Sequence, residues 1–433
     1  MSGDDRPAPA RGDDRPAAAR GEARLREGVP RIGLEQIRAA ARAGEGVVRR
    51  TPVLSTRTLS ERAGGTVVLK AENLQRTGSF KLRGALAKIA SLGPDCGRGV
   101  TTGSAGNHAQ AVAYAARARG IPCEVFMPEG APSAKIDAAT ALGAIVHLGG
   151  ASVDEALAAA RERAEQTGAA FVHAFDDPMV VAGQGSVGLE LLDQVEDLAQ
   201  VIVPVGGGGL ASGIAIAIKS VRPSVRVIGI QVETVAPFPA SLEAGHPVPV
   251  SAAVTIADGI AIKRPGELTL SLIAQWVDEL MVVAEDDVAE AMVFLLERAK
   301  LVVEGAGAVG VAALLSGRAR ASSAGTTAVV LSGGNVGAGL LAEVTRRHET
   351  QAGRRLVLLA TISDRPGALA ALLSLVADRG ANLLDVQHIR EGVDLHIRET
   401  AVQLVLETRG QRHAREVTEA VRAAGYLEPR FPH

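Results

Sequence analysis

The residue type best suited to covalent chemistry with a carbonyl is one this chain uses sparingly. Seven lysines stand against 39 arginines, 46 together. One of the seven lies at the centre of Thr77-Gly78-Ser79-Phe80-Lys81-Leu82-Arg83-Gly84-Ala85. Where positive charge alone is wanted, this composition usually supplies arginine. A guanidinium stays protonated and cannot form an imine, whereas a partly buried lysine amine can lose its proton and attack a carbonyl. Lys81 follows an aromatic residue, and Gly78 and Gly84 let backbone approach a flat ligand closely. From the nonapeptide alone, a surface lysine at a strand–helix junction would read the same way.

Three other stretches carry related chemistry. In Gly206-Gly207-Gly208-Gly209-Leu210 consecutive glycines let backbone N–H groups converge on a phosphate, and a following helix N-terminus adds a favourable dipole. The spacing is neither a dinucleotide fingerprint nor a Walker loop. In Ser104-Ala105-Gly106-Asn107-His108 the asparagine can offer a neutral hydrogen bond to a ring oxygen. The N–H groups of that loop can hold a carboxylate where a helix begins. His108 reads first as a structural histidine on a helix. In Ser332-Gly333-Gly334-Asn335 a serine hydroxyl could face a heteroaromatic nitrogen.

These stretches need elements to position them. Short apolar runs are expected as strands at residues 66–72, 99–102, 123–127, 144–148, 170–173, 199–204, 225–231 and 327–331. Helical patterns are expected at 34–48, 80–92, 133–142, 153–166, 184–195 and 210–219, with a further helix ending at Arg119. Repeated βα units imply an α/β fold, a mostly parallel sheet with helices on both faces. All four stretches then fall at carboxyl ends of strands, where open α/β sheets bind ligands. Near Ala352 the order changes to strand 354–363, helix 366–379, strands 382–391 and 398–408, helix 412–424, and a short strand reaching Arg430. That is a ferredoxin-like βαββαβ unit.

The composition limits the classes of function. A length of 433 residues suggests two or three domains and a large core, built from Ala, Val, Leu and Ile because aromatics are only 2%. A net charge of −2 gives no general field for nucleic acid or acidic lipid. Cys96 and Cys123 have no metal-ligand or redox spacing, which suits a reducing cytoplasm. No apolar run reaches the roughly 18 residues of a membrane span, and no hydrophobic signal core opens the chain. Residues 1–30 repeat Gly-Asp-Asp-Arg-Pro-Ala and have few large apolar side chains, so a disordered tail is expected there. The divisions that follow are a tail 1–30, a catalytic domain 31–345, a polar linker 346–353 and a small domain 354–433.

Together the lysine stretch and the three loops resemble the fold-type II, pyridoxal-phosphate-dependent serine/threonine dehydratases. The resemblance covers about residues 34–340 in the right order. It takes in Ala257-Asp258-Gly259-Ile260, Lys263-Arg264-Pro265-Gly266 and Val303-Glu304-Gly305-Ala306-Gly307. It implies two open twisted α/β subdomains, as in the tryptophan synthase β fold, and pyridoxal 5'-phosphate as cofactor. It also implies conversion of L-threonine to 2-oxobutanoate and ammonia, with L-serine as a secondary substrate, in isoleucine synthesis or threonine breakdown. By that resemblance Lys81 forms the internal imine and Phe80 packs against the ring. Asn107 bonds the ring hydroxyl, Gly206, Gly207, Gly208, Gly209 and Leu210 hold the phosphate, and Ser332 meets the pyridine nitrogen. Glu304 lines the pocket, and Ser104, Ala105, Gly106 and His108 lie by the substrate carboxylate.

Serine racemases of this group carry a serine, a base on the second face, where this chain has Ala105. Alanine cannot move a proton, so dehydration is expected to dominate over racemisation, the alternative activity. Glu233 stands where a metal-binding loop would begin, but no second carboxylate occurs among residues 234–242, which leaves a bound cation open. The small domain resembles an ACT regulatory module through Asp364-Arg365-Pro366-Gly367-Ala368-Leu369 and Asn382. Such modules pair side by side, which implies an amino-acid effector and a homo-oligomer, a dimer or tetramer.

Overall fold

Strands with apolar residues at nearly every position, rather than at alternate ones, must be covered on both faces. The strand Thr326–Val330 is buried throughout, and so is almost all of Leu198–Pro204. The computed structural model describes residues 30–426, Ala252 excepted. The described residues form two compact units, divided between Val336 and Gly337.

The first unit contains ten strands: β1 (Val53–Ser55), β2 (Val67–Lys70), β3 (Val100–Gly103), β4 (Cys123–Met127), β5 (Ile145–Leu148), β6 (Ala170–Phe171), β7 (Leu198–Pro204), β8 (Arg226–Val232), β9 (Glu279–Val283) and β10 (Thr326–Val330). They make a six-stranded sheet in the order β1-β2-β10-β7-β8-β9 and a four-stranded sheet in the order β5-β4-β3-β6. All neighbours are parallel except β1, which runs antiparallel to β2. The βα alternation is therefore divided between two sheets.

Small residues allow the helices to approach closely. Helix Pro178–Gln194 packs on helix Gly209–Lys219. A Cβ on Gly213 would lie 2.4 Å from the Val181 carbonyl oxygen and 2.6 Å from the Gly185 nitrogen. Helix Pro178–Gln194 starts before the expected 184–195. Asp177 caps it, accepting hydrogen bonds from the N–H groups of Met179 and Val180, and Pro178 occupies its first turn. The expected helix 34–48 stops instead at Ala43, where Gly44 caps it.

A buried ionic cluster ties the lysine-bearing helix Lys81–Ser91 to its surroundings. Arg83 Nε and Nη2 donate to the two carboxylate oxygens of Glu72 at 2.8 and 2.7 Å. Its Nη1 donates to Glu190 at 2.7 Å. Lys70, fully buried, donates to Glu190, to Gln194 and to the Thr51 carbonyl. Burial opposes ionisation of Glu72, yet Arg83, Lys70 and Thr51 outweigh it and hold the carboxyl below its ordinary value. The ionised cluster is therefore complete above about pH 4.5 and weakens as acid titrates Glu72.

The second unit has the antiparallel sheet order β11-β13-β12, with β11 (Arg355–Ser363), β12 (Asn382–Ile389) and β13 (Glu399–Glu407). Leu372, Val376, Val417 and Val421 of helices Ala368–Asp378 and Gln411–Ala423 complete its core. The described elements give βαββα. The expected last strand, towards Arg430, lies outside the described residues, as does the tail before Pro30. The polar linker expected at 346–353 is a correction: helix Ala338–Gln351 runs through most of it and belongs to the second unit. Leu340, Leu341 and Val344 recur at helical spacing there, and the polar residues between them occupy the remaining helix faces. Among the described residues, no helix is long and apolar enough to cross a membrane.

Candidate active site

The four loops singled out in the sequence converge on one cavity of about 1050 Å³ in the first unit. It is lined by Phe80, Lys81, Asn107, Ser332, Glu304 and the whole run from Gly206 to Leu210. Ser104, Ala105, Gly106 and His108 line it too. The reason is topological. β2, β3, β7 and β10 are all parallel strands, so the loops that follow them leave from carboxyl ends.

Lys81 begins its helix beside the turn that follows β10. A bridge joins Ser79 to Gly333, the Phe80 N–H donates to the Ser332 carbonyl at 3.1 Å, and the Gly334 N–H donates to the Gly78 carbonyl at 2.9 Å. Gly78 has φ +71°, and a Cβ there would lie 2.2 Å from Asn335 Oδ1. Lys81 Nζ donates to the Ala174 carbonyl at 2.9 Å. Burial lowers its pKa to about 8, partly offset by the charge of Glu304. A substantial neutral fraction is thus available near physiological pH, as a nucleophilic or basic amine requires.

The glycine run has the shape of an anion cradle. A Cβ on Gly206, Gly207, Gly208 or Gly209 would come within 3.0 Å of Ile260, Phe175 or Phe238. Gly208 has φ +91° and caps helix Gly209–Lys219, so the first N–H groups of that helix face the cavity end of the loop. No larger residue keeps this backbone so close to a ligand.

Asn107 sits in a chain of amides. Its Nδ2 donates to Glu304 Oε1 at 2.7 Å, and its Oδ1 accepts from Asn335 Nδ2 at 2.8 Å. Asn335 also donates to the Thr77 carbonyl at 2.8 Å. The amide orientation of Asn107 is thereby set, with one N–H left for a ligand. Glu304 is pushed up to about 7, by burial first and then by Asp258, against the opposing pull of Asn107, Lys135 and Lys81. Gly333 and Gly259 make room for its carboxyl group.

His108 Nε2 bonds the Val172 carbonyl at 3.0 Å. Burial and the nearby Lys81 lower its pKa to about 3. It is a neutral wall residue, in keeping with its structural reading. The residues expected at an effector site lie in the other unit. Asp364 accepts two hydrogen bonds from Arg390 at 2.7 and 3.0 Å, and Asn382 donates to Glu407 at 3.1 Å. Pro366 and Gly367, the latter at φ +88°, make the turn into helix Ala368–Asp378, and the Arg365 N–H bonds the Ser363 carbonyl. Among the described residues no group of three or more His, Cys, Asp or Glu is placed to hold a metal ion, Glu233 included.

Sequence reading missed the loop after β6. His173, Ala174, Phe175 and Asp176 all line the cavity, and Asp176 accepts the Thr269 N–H at 3.0 Å. The available signal was position alone: this loop, too, leaves the carboxyl end of a strand.

Comparison with known proteins agrees with this geometry. Residues 45–333 match the family model described as pyridoxal-phosphate dependent enzyme. An L-threonine ammonia-lyase of Thermotoga maritima is 47% identical over 397 residues, covering 91% of this chain and 98% of that protein. That alignment is longer than the family-model segment. The solved processed form of threonine deaminase isoform 2 from Solanum lycopersicum is 35% identical with a TM-score of 0.68, covering 72% of this chain and 86% of that one. The solved maize serine racemase is 35% identical with a TM-score of 0.69, covering 74% and 98%.

Proposed function

The chain belongs to the pyridoxal-phosphate dependent enzymes, and on that premise we propose that it is a threonine ammonia-lyase that forms 2-oxobutanoate and ammonia. The observation that carries this reading is the convergence of a half-buried lysine of lowered pKa, a glycine cradle, Asn107 and Ser332 on one cavity. Those residues fit the cofactor. The cradle would be filled by any Cβ, the amine is buried, and Asn107 keeps one N–H unspent.

In this assignment Lys81 would attach the cofactor, the N–H groups from Gly206 to Leu210 would hold its phosphate, Asn107 would bond its ring hydroxyl, Ser332 would meet its ring nitrogen and Phe80 would flank the ring. When bound, the cofactor supplies an electron sink for the charge left as the substrate Cα proton departs. Lys81 Nζ takes that proton. Ser332, a neutral partner, would not hold the ring nitrogen protonated, which would favour prompt loss of the β-hydroxyl. The Ser104 N–H is spent on the Phe126 carbonyl at 3.0 Å, so the N–H groups of Ala105 and Gly106 and the Ser104 hydroxyl hold the substrate carboxylate at the start of helix Asn107–Arg119. One water is lost in elimination and one regained in hydrolysis, so threonine yields 2-oxobutanoate and ammonia in balance. Serine, with the same β-hydroxyl, reacts as a secondary substrate.

The test is 2-oxo acid release by purified holoenzyme from L-threonine and L-serine. The reading expects release from both, and absence of release from threonine overturns it. The lowered pKa of Lys81 gives a separate expectation. Reconstitution of the apoprotein needs the neutral amine, so its rate should rise about tenfold per pH unit below pH 8 and level off above it. A rate still climbing towards pH 10 would contradict the lowered value.

The second unit is assigned an amino-acid regulatory role and a part in self-association. Supporting it are the turn Asp364-Arg365-Pro366-Gly367 at a helix N-terminus, with Asn382 at the start of the next strand. Strand β12 ends its sheet and exposes Leu383, Leu384 and Val386, an edge suited to a second copy. Gly367 has φ +88°, so Gly367→Val strains the turn. The variant should lose the response of threonine turnover to added isoleucine or valine while keeping basal turnover. An unchanged response would remove this turn from the effector site.

A further inference from the structure

His173 lies in the loop that sequence reading missed, and its surroundings define what it can do. The strand β6 pairs in parallel with β3, matching Val100 with Ala170 and Thr101 with Phe171. The pairing extends one residue further, through Val172 N–H to the Thr101 carbonyl at 2.9 Å and Thr102 Oγ1 to the Val172 carbonyl at 2.9 Å. His173 therefore leaves the sheet beside Gly103 and Ser104, at the loop assigned above to the substrate carboxylate. The neighbouring Ala174 carbonyl receives Lys81 Nζ, so the same short loop borders the reacting amine.

The ring has one available tautomer. Nδ1 accepts the N–H groups of Phe175 at 3.2 Å and Asp176 at 2.8 Å. The proton therefore rests on Nε2. No residue among those described accepts a hydrogen bond from Nε2, and His173 lines the cavity with Ser104, Gly106 and Lys81. Phe175, edge-on at 4.7 Å between ring centroids, packs against the imidazole.

We propose that His173 is a substrate-binding residue whose Nε2–H donates to the carboxylate of the amino-acid substrate, beside the loop Ser104-Ala105-Gly106. The assignment rests on the reading of the cavity as an amino-acid site. An anion is the acceptor that gains most from such a donor, because the hydrogen bond is then charge-assisted. Burial lowers the pKa of the ring to about 4, with Asp176 and Asp177 pulling the other way and Arg161 and Lys81 adding to the effect. The group thus stays a neutral donor at working pH and does not act as a general acid.

His173→Asn separates the two faces of the ring. The asparagine Oδ1 can still accept N–H groups two and three residues on, which keeps the loop, but its amide N–H groups then sit near the place of Cδ2 and fall short of the point where Nε2–H stood. Binding is read from the absorbance of the bound cofactor in holoenzyme titrated with L-alanine, which lacks a β-leaving group, and with L-alaninamide, whose carboxylate is replaced by a neutral amide. The variant should weaken alanine binding by roughly tenfold to a hundredfold and change alaninamide binding by less than about twofold. Equal weakening for both ligands, or no change for alanine, overturns the proposal.

A measurement on the wild-type holoenzyme does not depend on the variant folding. With ¹⁵N-labelled histidine, the His173 ring should be the neutral Nε2–H tautomer at pH 7, with an Nε2 signal that shifts on adding alanine and not on adding alaninamide. An imidazolium, an Nδ1–H tautomer or an Nε2 signal indifferent to alanine contradicts it. Neither experiment requires turnover. A wild type that binds alanine but releases no 2-oxo acid from threonine would overturn the lyase reading and leave this one standing.

Discussion

Lys81→Ala should abolish threonine turnover, with a fall of at least about a thousandfold, and remove the visible band of the bound cofactor. The size of the effect follows from the two roles given to one amine, attachment and proton transfer. The other lysines of the cavity wall, Lys135 and Lys263, are paired with Asp258 and Asp154. His108 and His173 are both held neutral, with pKa values lowered to about 3 and about 4 chiefly by burial. Glu304, which also lines the cavity, has its carboxyl bonded to Asn107. The fold should survive, because alanine is compatible with the first position of helix Lys81–Ser91. Unchanged circular dichroism with lost absorbance and lost 2-oxo acid release is the expected pattern. A variant that keeps more than about a hundredth of wild-type turnover, a bound on the order of the weakest general-base effects, would remove Lys81 from the chemistry.

The largest effect on stability is expected at Arg83, two residues further along the same helix. Arg83 and Glu72 are both almost wholly buried and joined by two hydrogen bonds. Arg83→Leu leaves Glu72 with only the more distant Lys70 and the Thr51 hydroxyl to balance its charge. Breaking a buried pair in this way costs about 3–5 kcal/mol, because one charge is left uncompensated. Denaturant melts of the single variant should show that loss. Replacing Glu72 by leucine in the same chain should restore part of it, since two apolar residues leave no stranded charge. If the double variant is less stable than the single one, packing rather than charge governs the cluster.

The loops of the site were legible in the sequence because each rests on a local rule. Consecutive glycines after an apolar run, a Ser-Ala-Gly-Asn start to a helix and an isolated Phe-Lys pair need only a few neighbours to be read. The ionic cluster was not legible. Arg83 and Glu190 are 107 positions apart, and nothing local in either helix announces the other. His173 was missed for a similar reason, since its tautomer and its place beside Ser104 depend on the pairing of β6 with β3. The start of helix Pro178–Gln194 was legible in principle, from Asp177-Pro178, but its glycines at 183, 185 and 188 obscured the periodicity. Those glycines serve contact between helices, which is a tertiary requirement. Helix Ala338–Gln351 was hidden by polarity: a single apolar stripe among charged residues read as linker.

On the proposed reading Ala105 decides what the site does, because a lysine on one face of the substrate and an alanine on the other would allow a proton to be taken but not returned from the opposite side. The direct measurement is a single time course of holoenzyme with L-threonine, in which 2-oxobutanoate, ammonia and the Cα-inverted amino acid are quantified together. Equal amounts of 2-oxobutanoate and ammonia, formed well in excess of inverted amino acid, are the predicted result. Inversion faster than 2-oxobutanoate release would contradict the account and identify the site as that of a racemase.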